Sequence, residues 1–248
     1  MSLLQHLLAE LKSYRWVNLT HEVDENIPIY HTFNPLKTGI ISTLDSARVD
    51  SREYTIGSSH GTHIDAPKHF ARGKRELLDI DQKERFLDLY VIHLEDKVKE
   101  VPGYAVTVDD IKEFEAEYGE IPAGSFVAFS SGWYKRFHDS DYFKNEDEDG
   151  VEHTPGWSIP ALEFLSRERK VTAIGHETLN TDSGVEAAEA GFLDAEYYWL
   201  AEDKYQIELM ANLDQVPAVG SIIFIGVPHI KDSPGFPAEV LAIVPDKK

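Results

Sequence analysis

The spacing of apolar residues along the chain changes from segment to segment, which predicts a mixture of helices and strands. Apolar positions three and four residues apart, typical of amphipathic helices, occupy residues 3–13, 107–118, 160–169 and 195–204. Alternating or unbroken apolar runs, typical of strands, occupy residues 16–20, 40–44, 54–56, 88–94, 125–130, 171–175, 206–210, 221–226 and 239–244. Strands outnumber helices, so we expect one α/β (mixed α+β) domain, built on a mixed sheet and spanning residues 1–248.

Polar stretches between these elements are expected to be loops. Residues 26–31 contain a proline, and residues 77–86 are polar enough to be irregular. Residues 139–152 are rich in Asp and Glu, but Asp147 and Asp149 only partly match a calcium-binding loop, whose Asp-x-Asp-x-Asp-Gly spacing is missing. We interpret this acidic segment as a solvated loop.

The composition restricts the partners and the compartment of the protein. The chain of 248 residues carries 44 Asp and Glu against 24 Lys and Arg, a formal net charge of -20. That charge repels nucleic acid and anionic membrane surfaces, so we expect neither as a partner. The sequence contains no Cys, which excludes disulfides and thiolate metal sites. Because the first residues also lack the form of a signal peptide, we expect a cytoplasmic protein.

The densest group of chemically active side chains lies in residues 59–70, Ser-His-Gly-Thr-His-Ile-Asp-Ala-Pro-Lys-His-Phe. His60, His63, Asp65 and His69 place three imidazoles and one carboxylate within ten residues, a combination that binds zinc, manganese or iron. In an extended strand, His63 and Asp65 project from the same face. A structural loop without a metal is the alternative interpretation.

Two later segments offer further candidates for a site. His176 and Asp182 follow a predicted buried strand, where active-site loops are common; a polar loop with a capping Asp is the alternative. Glu208 lies in an apolar strand and shares one face with Gln206. If Glu208 is buried it needs a partner, and a metal ion would supply one; a solvent-exposed carboxylate is the alternative.

Aromatic residues near the predicted strand ends could form the walls of a pocket for a flat substrate. Trp133 follows Ser-Ser-Gly at the end of one strand, and Trp157 follows Thr-Pro-Gly. The other members of this set are Tyr134, Tyr197, Tyr198 and Trp199. Packing in the hydrophobic core is the more common role of each aromatic residue taken alone.

The motif in residues 61–70 resembles the signature of the cyclase family of metal-dependent hydrolases, which contains bacterial kynurenine formamidase and isatin hydrolase. The usual form of that signature is His-x-Gly-Thr-His-x-Asp-Ala-Pro-x-His. Residues 130–133, 208–214 and 235–238 resemble three later motifs of the family. The resemblance implies a swivelling β/β/α-type domain that binds zinc or manganese, forms a homodimer or homotetramer and hydrolyses the C–N bond of an amide.

The resemblance also implies roles for individual residues. His63 and Asp65 fall on metal ligands, Glu208 falls on a later ligand carboxylate, and His69 falls on the catalytic histidine. The expected reaction is therefore hydrolysis of a small cyclic or aryl amide by water that a divalent metal activates, with His69 carrying the proton. An ester or lactone hydrolase, a metal-dependent dehydratase or isomerase, and a non-catalytic metal- or ligand-binding protein remain as alternatives.

The sequence departs from the family signature at two ligand positions. The first family histidine falls on Ser59, one residue before His60. A later family histidine, twelve residues before Glu208, falls on Glu196. His60, Glu196 and His176 are therefore the candidates for the remaining ligands, and either one or two metals fit such a set.

Overall fold

The computed structural model describes residues 2–247, and the predicted domain limits at residues 1 and 248 lie outside the described residues. The strands, in chain order, are β1 (Tyr14–Asn18), β2 (Lys37–Ser42), β3 (Ser51–Thr55), β4 (His63–Asp65), β5 (Phe86–His93), β6 (Ala105–Val106), β7 (Phe126–Ser130), β8 (Gly156–Trp157), β9 (Ala173–His176), β10 (Tyr205–Glu208), β11 (Ser221–Gly226), β12 (Gly235–Pro237) and β13 (Glu239–Lys247). The α-helices are α1 (Leu3–Ser13), α2 (Leu44–Ala47), α3 (Glu95–Glu100), α4 (Val108–Tyr118), α5 (Ser140–Lys144), α6 (Ile159–Glu163), α7 (Gly184–Ala190) and α8 (Asp194–Ala201).

Nine of these strands form one mixed sheet in the order β1-β13-β11-β5-β7-β9-β10-β4-β12. The central strands β5, β7, β9 and β10 are parallel, and helices occupy the crossovers between them. The strands on both sides of this centre pair antiparallel. The architecture confirms the predicted α/β fold on a mixed sheet.

Alternating side chains of the central strands pack into two separate hydrophobic cores, one on each face of the sheet. Val127 and Ile174 belong to the core that includes residues of α4, α6 and α8. Ala128 projects to the opposite face and belongs to the second core. Val17 in β1 and Ile64 in β4 are also members of that second core, although six strands lie between β1 and β4 in the sheet order. The sheet therefore curls around this core.

Three segments differ from the prediction in local structure. The helix predicted over residues 160–169 is an α-helix only as far as Glu163, and it continues as a π-helix over Phe164–Arg169. The segment 77–86, predicted to be irregular, forms two short 3₁₀ turns because Leu77 is buried and fixes the chain against the core. The acidic segment 139–152 contains α5, since its Phe143 is also buried.

Two elements at the periphery are largely exposed. Helix α1 forms as predicted, but none of its residues is buried. Strands β2 and β3 pair with each other in a separate hairpin whose residues are nearly all exposed. Within residues 2–247, every helix is too short or too polar to cross a lipid bilayer.

Candidate metal centre

Pairing between β4 and β10 brings the two distant sequence motifs together. In this antiparallel pair, His63 lies opposite Glu208 and Asp65 lies opposite Gln206. Directly opposed residues project to the same face of an antiparallel pair, so the four polar side chains share one face. The intervening Ile64 faces the opposite side and is completely buried in the core. The register that buries this isoleucine therefore also fixes the polar group.

His63 is oriented so that one ring nitrogen faces two carboxylates. Its Nδ1 lies 2.8 Å from the carbonyl oxygen of Gly61, which can only accept, so Nδ1 carries the proton and donates it. Nε2 lies 3.3 Å from Oδ2 of Asp65 and 3.3 Å from Oε2 of Glu208. In this tautomer Nε2 has a free lone pair directed at two oxygen atoms, which is the arrangement expected of a metal-binding imidazole.

With His63 neutral, this group contains two carboxyl groups and no positive charge to compensate them. Burial disfavours protonated His63, but the carboxylates of Asp65 and Glu208 outweigh that effect and raise its pKa well above the ordinary value. Burial alone would raise the pKa of Asp65, but His63 and His69 lower it to about 2. Burial raises the pKa of Glu208 to about 8, although contact with His63 opposes that change. A bound cation would stabilise both carboxylates in their charged form.

A second group of ligand-type atoms shares Asp65 with the first. Oxygen atoms of Asp65 and Glu196 and a ring nitrogen of His69 all lie within 4.8 Å of one another. His69 ends a 3₁₀ turn directly after β4, and Glu196 lies in the first turn of α8. Burial, together with the charges of Glu208 and Asp65, raises the pKa of Glu196 well above its ordinary value.

The candidate residues outside these two groups have other partners. Asp182 accepts hydrogen bonds from the backbone N–H groups of Ala195 (2.8 Å) and Glu196 (3.0 Å), so it fixes the start of α8. Nε2 of His176 lies 3.6 Å from Oε1 of Glu208, and its ring contacts the hydroxyls of two threonines. Burial and the nearby charge of His63 lower the pKa of His176 to about 3, so this imidazole is neutral.

His60 lies outside both groups of ligand-type atoms. Its Nδ1 accepts a hydrogen bond from the backbone N–H of Gly57 (3.2 Å), and its ring packs edge-on against Phe33, with 5.6 Å between the ring centroids. Ser59, at the position of the first family histidine, lines a cavity that His69 and Glu196 also line. The one-residue displacement thus leaves the imidazole outside both groups and a small hydroxyl at the position of the family histidine.

Two backbone features, one in β12 and one in the turn after β10, help to position the candidate ligands. A Cβ atom added to Gly235 would lie 2.3 Å from the carbonyl oxygen of Ile64 and 2.9 Å from Oδ1 of Asp65, so only glycine fits there. Leu209, directly after Glu208, has a φ of 52°, a conformation that a non-glycine residue rarely adopts. This turn redirects the chain immediately after the candidate ligand.

A cavity of about 370 Å³ opens above the second group. Its lining includes His69, Glu196 and Glu208 together with the aromatic residues Phe33 and Phe192. Phe70 also lines it and contacts Phe192 edge-on. The cavity is large enough for a small organic molecule, and its walls suit an aromatic one.

The two tryptophans proposed from the sequence as pocket walls do not line this cavity. Trp133 and Trp157 are 1% and 0% exposed and belong to the first hydrophobic core. The indole N–H of Trp133 donates to the carbonyl oxygen of Phe143 (2.9 Å), which fixes it in the interior. Their placement corresponds to the core-packing alternative.

Sequence reasoning missed the aromatic residues that do line the cavity. Phe70 directly follows His69, and that adjacency was the only available signal for it. Phe33 and Phe192 lie in segments far from the motif, and nothing in their local pattern distinguishes them from core residues. Only the tertiary structure places them beside the candidate metal ligands.

The donor set fits a divalent metal ion. Nε2 of His63 and Oδ1 of Asp65 are buried and have no hydrogen-bond partner within the described residues. One imidazole nitrogen and two carboxylates in a buried position suit zinc or manganese, and a divalent cation would satisfy these acceptors together. His63, Asp65 and Glu208 would hold the ion, with His69 and Glu196 beside it.

Comparison with known proteins gives an independent view of this site. The family model described as "Putative cyclase" matches residues 17–183, more than half of the chain. Isatin hydrolase from Roseibium aggregatum is 33% identical over 196 residues, which cover 77% of this chain and 73% of that protein. Kynurenine formamidase from Geobacillus thermodenitrificans is 29% identical over 85 residues, which cover 34% of this chain and 41% of that protein.

A similar fold is present in a solved structure. Isatin hydrolase A from Ralstonia solanacearum superimposes with a TM-score of 0.90 and 31% sequence identity, covering 98% of each chain. The part of the chain that the family model matches includes the motif around His63 and ends just after Asp182. These matches confirm the resemblance seen in the sequence, and the chain belongs to the cyclase family.

Proposed function

We propose that the protein is a metal-dependent hydrolase that cleaves the C–N bond of a small, neutral cyclic or aryl amide. The observation that carries this proposal is the position of His63 Nε2, 3.3 Å from one oxygen each of Asp65 and Glu208, beside an aromatic-walled cavity. A divalent metal held there would polarise a carbonyl group and would make water acidic enough to react near neutral pH. The names of the isatin hydrolase and kynurenine formamidase relatives support this class of reaction.

The residues of the chain have distinct roles in this proposal. His63, Asp65 and Glu208 hold the metal, and the rings of Phe33 and Phe192 are placed to orient the substrate and exclude water. His69 lines the cavity within reach of Asp65, so its imidazole nitrogen is placed to take the proton of the attacking water and return it to the leaving nitrogen. Imidazole suits this task because its ordinary pKa lies near neutral pH.

The proposal is tested with a substrate panel and controlled metal content. The purified protein is assayed on a cyclic aryl amide (isatin), an N-formyl aryl amine and an aryl lactone, loaded with manganese or zinc or stripped by a chelator. We expect the amides to be hydrolysed, the chelator to abolish turnover, and one oxygen atom from labelled water to enter the product. Turnover of the lactone alone, or a product without the labelled oxygen, would contradict the proposal.

A matched pair of variants separates an enzyme from a protein that only binds a metal. His69→Ala removes the proposed proton carrier, whereas His6→Ala removes an exposed imidazole on helix α1. Turnover should fall in the first variant and stay at the wild-type level in the second. If the wild type binds metal but shows no turnover that depends on His69, the protein is not the hydrolase proposed here.

We also propose that the protein self-associates through the β2–β3 hairpin. Ile40, Ile41, Leu44 and Tyr54 are all more than 60% exposed there, and an isolated two-stranded hairpin is at best marginally stable in water. Residues 37–55 carry three basic and three acidic side chains, so this segment is neutral in a chain of net charge -20. Two copies can therefore meet at this surface without the repulsion that acts elsewhere.

Sedimentation equilibrium tests the self-association. We expect the wild type to sediment as a dimer or larger species and Ile41→Lys to sediment as a lighter one. Val101→Lys places the same charge at a different position that is 54% exposed and should leave the mass unchanged. A monomeric wild type, or equal behaviour of the two variants, would contradict this proposal.

A further inference from the structure

A buried arginine lies far from the candidate metal centre and has no acidic partner in the described part of the chain. Arg85 is only 9% exposed, and within residues 2–247 its side chain forms no ion pair or hydrogen bond. Its Nε is completely buried without a partner. An arginine side chain is always a charged donor, and a buried donor left without an acceptor costs free energy. The arrangement therefore favours an anion at this position.

The acidic residues nearest in sequence are engaged elsewhere. Both carboxylate oxygens of Glu84 accept hydrogen bonds from Nη1 of Arg75, at 2.8 and 2.9 Å. Asp81 caps the short turn before β5 by accepting the backbone N–H of Lys83 at 2.8 Å. Neither carboxylate neutralises Arg85, although the chain as a whole has a large excess of acidic residues.

Arg85 lines a cavity of about 410 Å³. Lys83, His229 and Gln82 contribute further nitrogen donors to its lining, and Asp81 is its one acidic residue. Leu78 and Ile80 supply apolar surface. This volume lies in the range of small-molecule sites, and the lining combines hydrogen-bond donors with a hydrophobic wall.

The cavity and the metal centre lie at opposite ends of the central parallel strands. Arg85 directly precedes Phe86, the first residue of β5, whereas Glu208 is the last residue of β10. These two strands run in the same direction within the central parallel part of the sheet. An anion at Arg85 is therefore separate from the ligands and from the cavity above His69.

We propose that the cavity around Arg85 is a binding site for a small organic carboxylate. The carboxylate would pair with the planar guanidinium, for which two-pronged hydrogen bonding is the favoured geometry. Lys83 would add charge at the mouth, and the hydrocarbon part of the ligand would pack against Leu78 and Ile80. The proposal does not depend on the reaction assigned to the metal centre.

Calorimetric titration of the full chain with benzoate tests this site, with benzamide as the neutral analogue of the same shape. We expect saturable benzoate binding, and binding of benzamide weaker by about tenfold or more. Arg85→Leu should weaken benzoate binding by at least about tenfold, whereas Arg167→Leu, a matched change at an exposed position, should not alter it. Lys83→Ala, at an exposed residue, should cause a smaller loss of benzoate affinity. This variant tests the site even if Arg85→Leu does not fold.

Three further measurements identify the bound species. Glu208→Gln should bind benzoate as the wild type does; a loss in this variant would place the carboxylate at the metal centre and overturn the proposal. Inorganic phosphate that binds as tightly as benzoate would also overturn it, because the organic part would then be irrelevant. A lower sedimenting mass in Arg85→Leu would show that a second copy of the chain supplies the carboxylate, which again contradicts a small-molecule site.

Discussion

Two groups of ligand-type atoms share Asp65, yet the chain builds them in different ways. His63, Asp65 and Glu208 lie on the paired strands β4 and β10, and all three are buried. His69 lies on a 3₁₀ turn and is only partly buried, whereas Glu196 lies at the start of α8. Both residues line the cavity. One group is fixed by sheet register, and the other is carried by a turn and a helix end.

This difference indicates a division of labour. Strand pairing holds the donor atoms of the first group in fixed positions, which suits the binding of a metal ion. His69 and Glu196 of the second group line the open volume in which a substrate would lie, which suits proton transfer and substrate contact. Variants in each group should therefore separate these two roles.

The largest effect is expected from removing a ligand of the strand-borne group. His63→Ala should weaken metal binding by at least about 100-fold, because an imidazole ligand is lost from a buried site. Metal affinity is measured by competition with a chelator of known affinity. His60→Ala, from the same motif, is the control and should bind metal as the wild type does. Equal losses in the two variants would show that His60 is also a ligand.

The next effect concerns the turn-borne group. His69→Ala should lower kcat by about 10²–10⁴-fold, the usual contribution of a general base, while metal content stays near the wild-type level. Steady-state kinetics and metal analysis of the same preparation measure both quantities. A variant that lost metal together with activity would show that His69 is a ligand rather than a proton carrier.

Glu196 gives a smaller and more discriminating effect. Glu196→Gln should lower kcat by about tenfold and leave metal affinity almost unchanged, because Glu196 belongs to the group that lines the cavity and not to the strand-borne group. Glu208→Gln is the matched change in the strand-borne group and should weaken metal binding. If the two glutamine variants lose metal equally, the division between the groups is wrong.

Acid is expected to weaken the fold as well as the metal centre, through a histidine that lies outside both groups. Burial and the nearby His138 lower the pKa of His21 to about 4, and its ring stacks on Phe137. The unfolded chain binds a proton at His21 more readily than the folded one, so stability is lost as the pH falls from about 6.5 towards about 4. Between about pH 7.5 and about pH 5, His21 should account for a loss of about 2 kcal/mol.

His21→Phe tests this contribution, because it keeps an aromatic ring on Phe137 and cannot titrate. The free energy of unfolding of metal-free protein, measured with urea at both pH values, should fall less in this variant than in the wild type. His6→Phe, at an exposed position, should retain the full acid sensitivity. Equal slopes for His21→Phe and the wild type would place the acid sensitivity elsewhere.

The sequence supported the strand-borne group better than the turn-borne one for a physical reason. His63 and Asp65 occupy alternate positions of one strand, and Glu208 interrupts an apolar strand, so each carries a local signal. The pairing of β4 with β10 has no local signal, because it depends on contacts about 140 residues apart in the chain. Resemblance to the family connected the two segments before the structure did.

The remaining parts of the site depend on tertiary packing. Glu196 lies on a short helix whose position is fixed by Asp182, and no periodicity in the sequence connects the two. Trp133 and Trp157 are of a residue type that often forms pocket walls, but both lie in the core. Large aromatic residues occur in both environments, so the residue type alone does not distinguish them. Most of the mixed sheet could be predicted from apolar runs, whereas its order and its curl could not.

The most direct test is anomalous X-ray diffraction from crystals of the manganese-loaded protein. We predict a single dominant anomalous peak at bonding distance, about 2.2 Å, from Nε2 of His63 and from oxygen atoms of Asp65 and Glu208. A dominant peak bonded to His60, or one bonded to His69 and Glu196 without His63, would contradict the account of the metal centre.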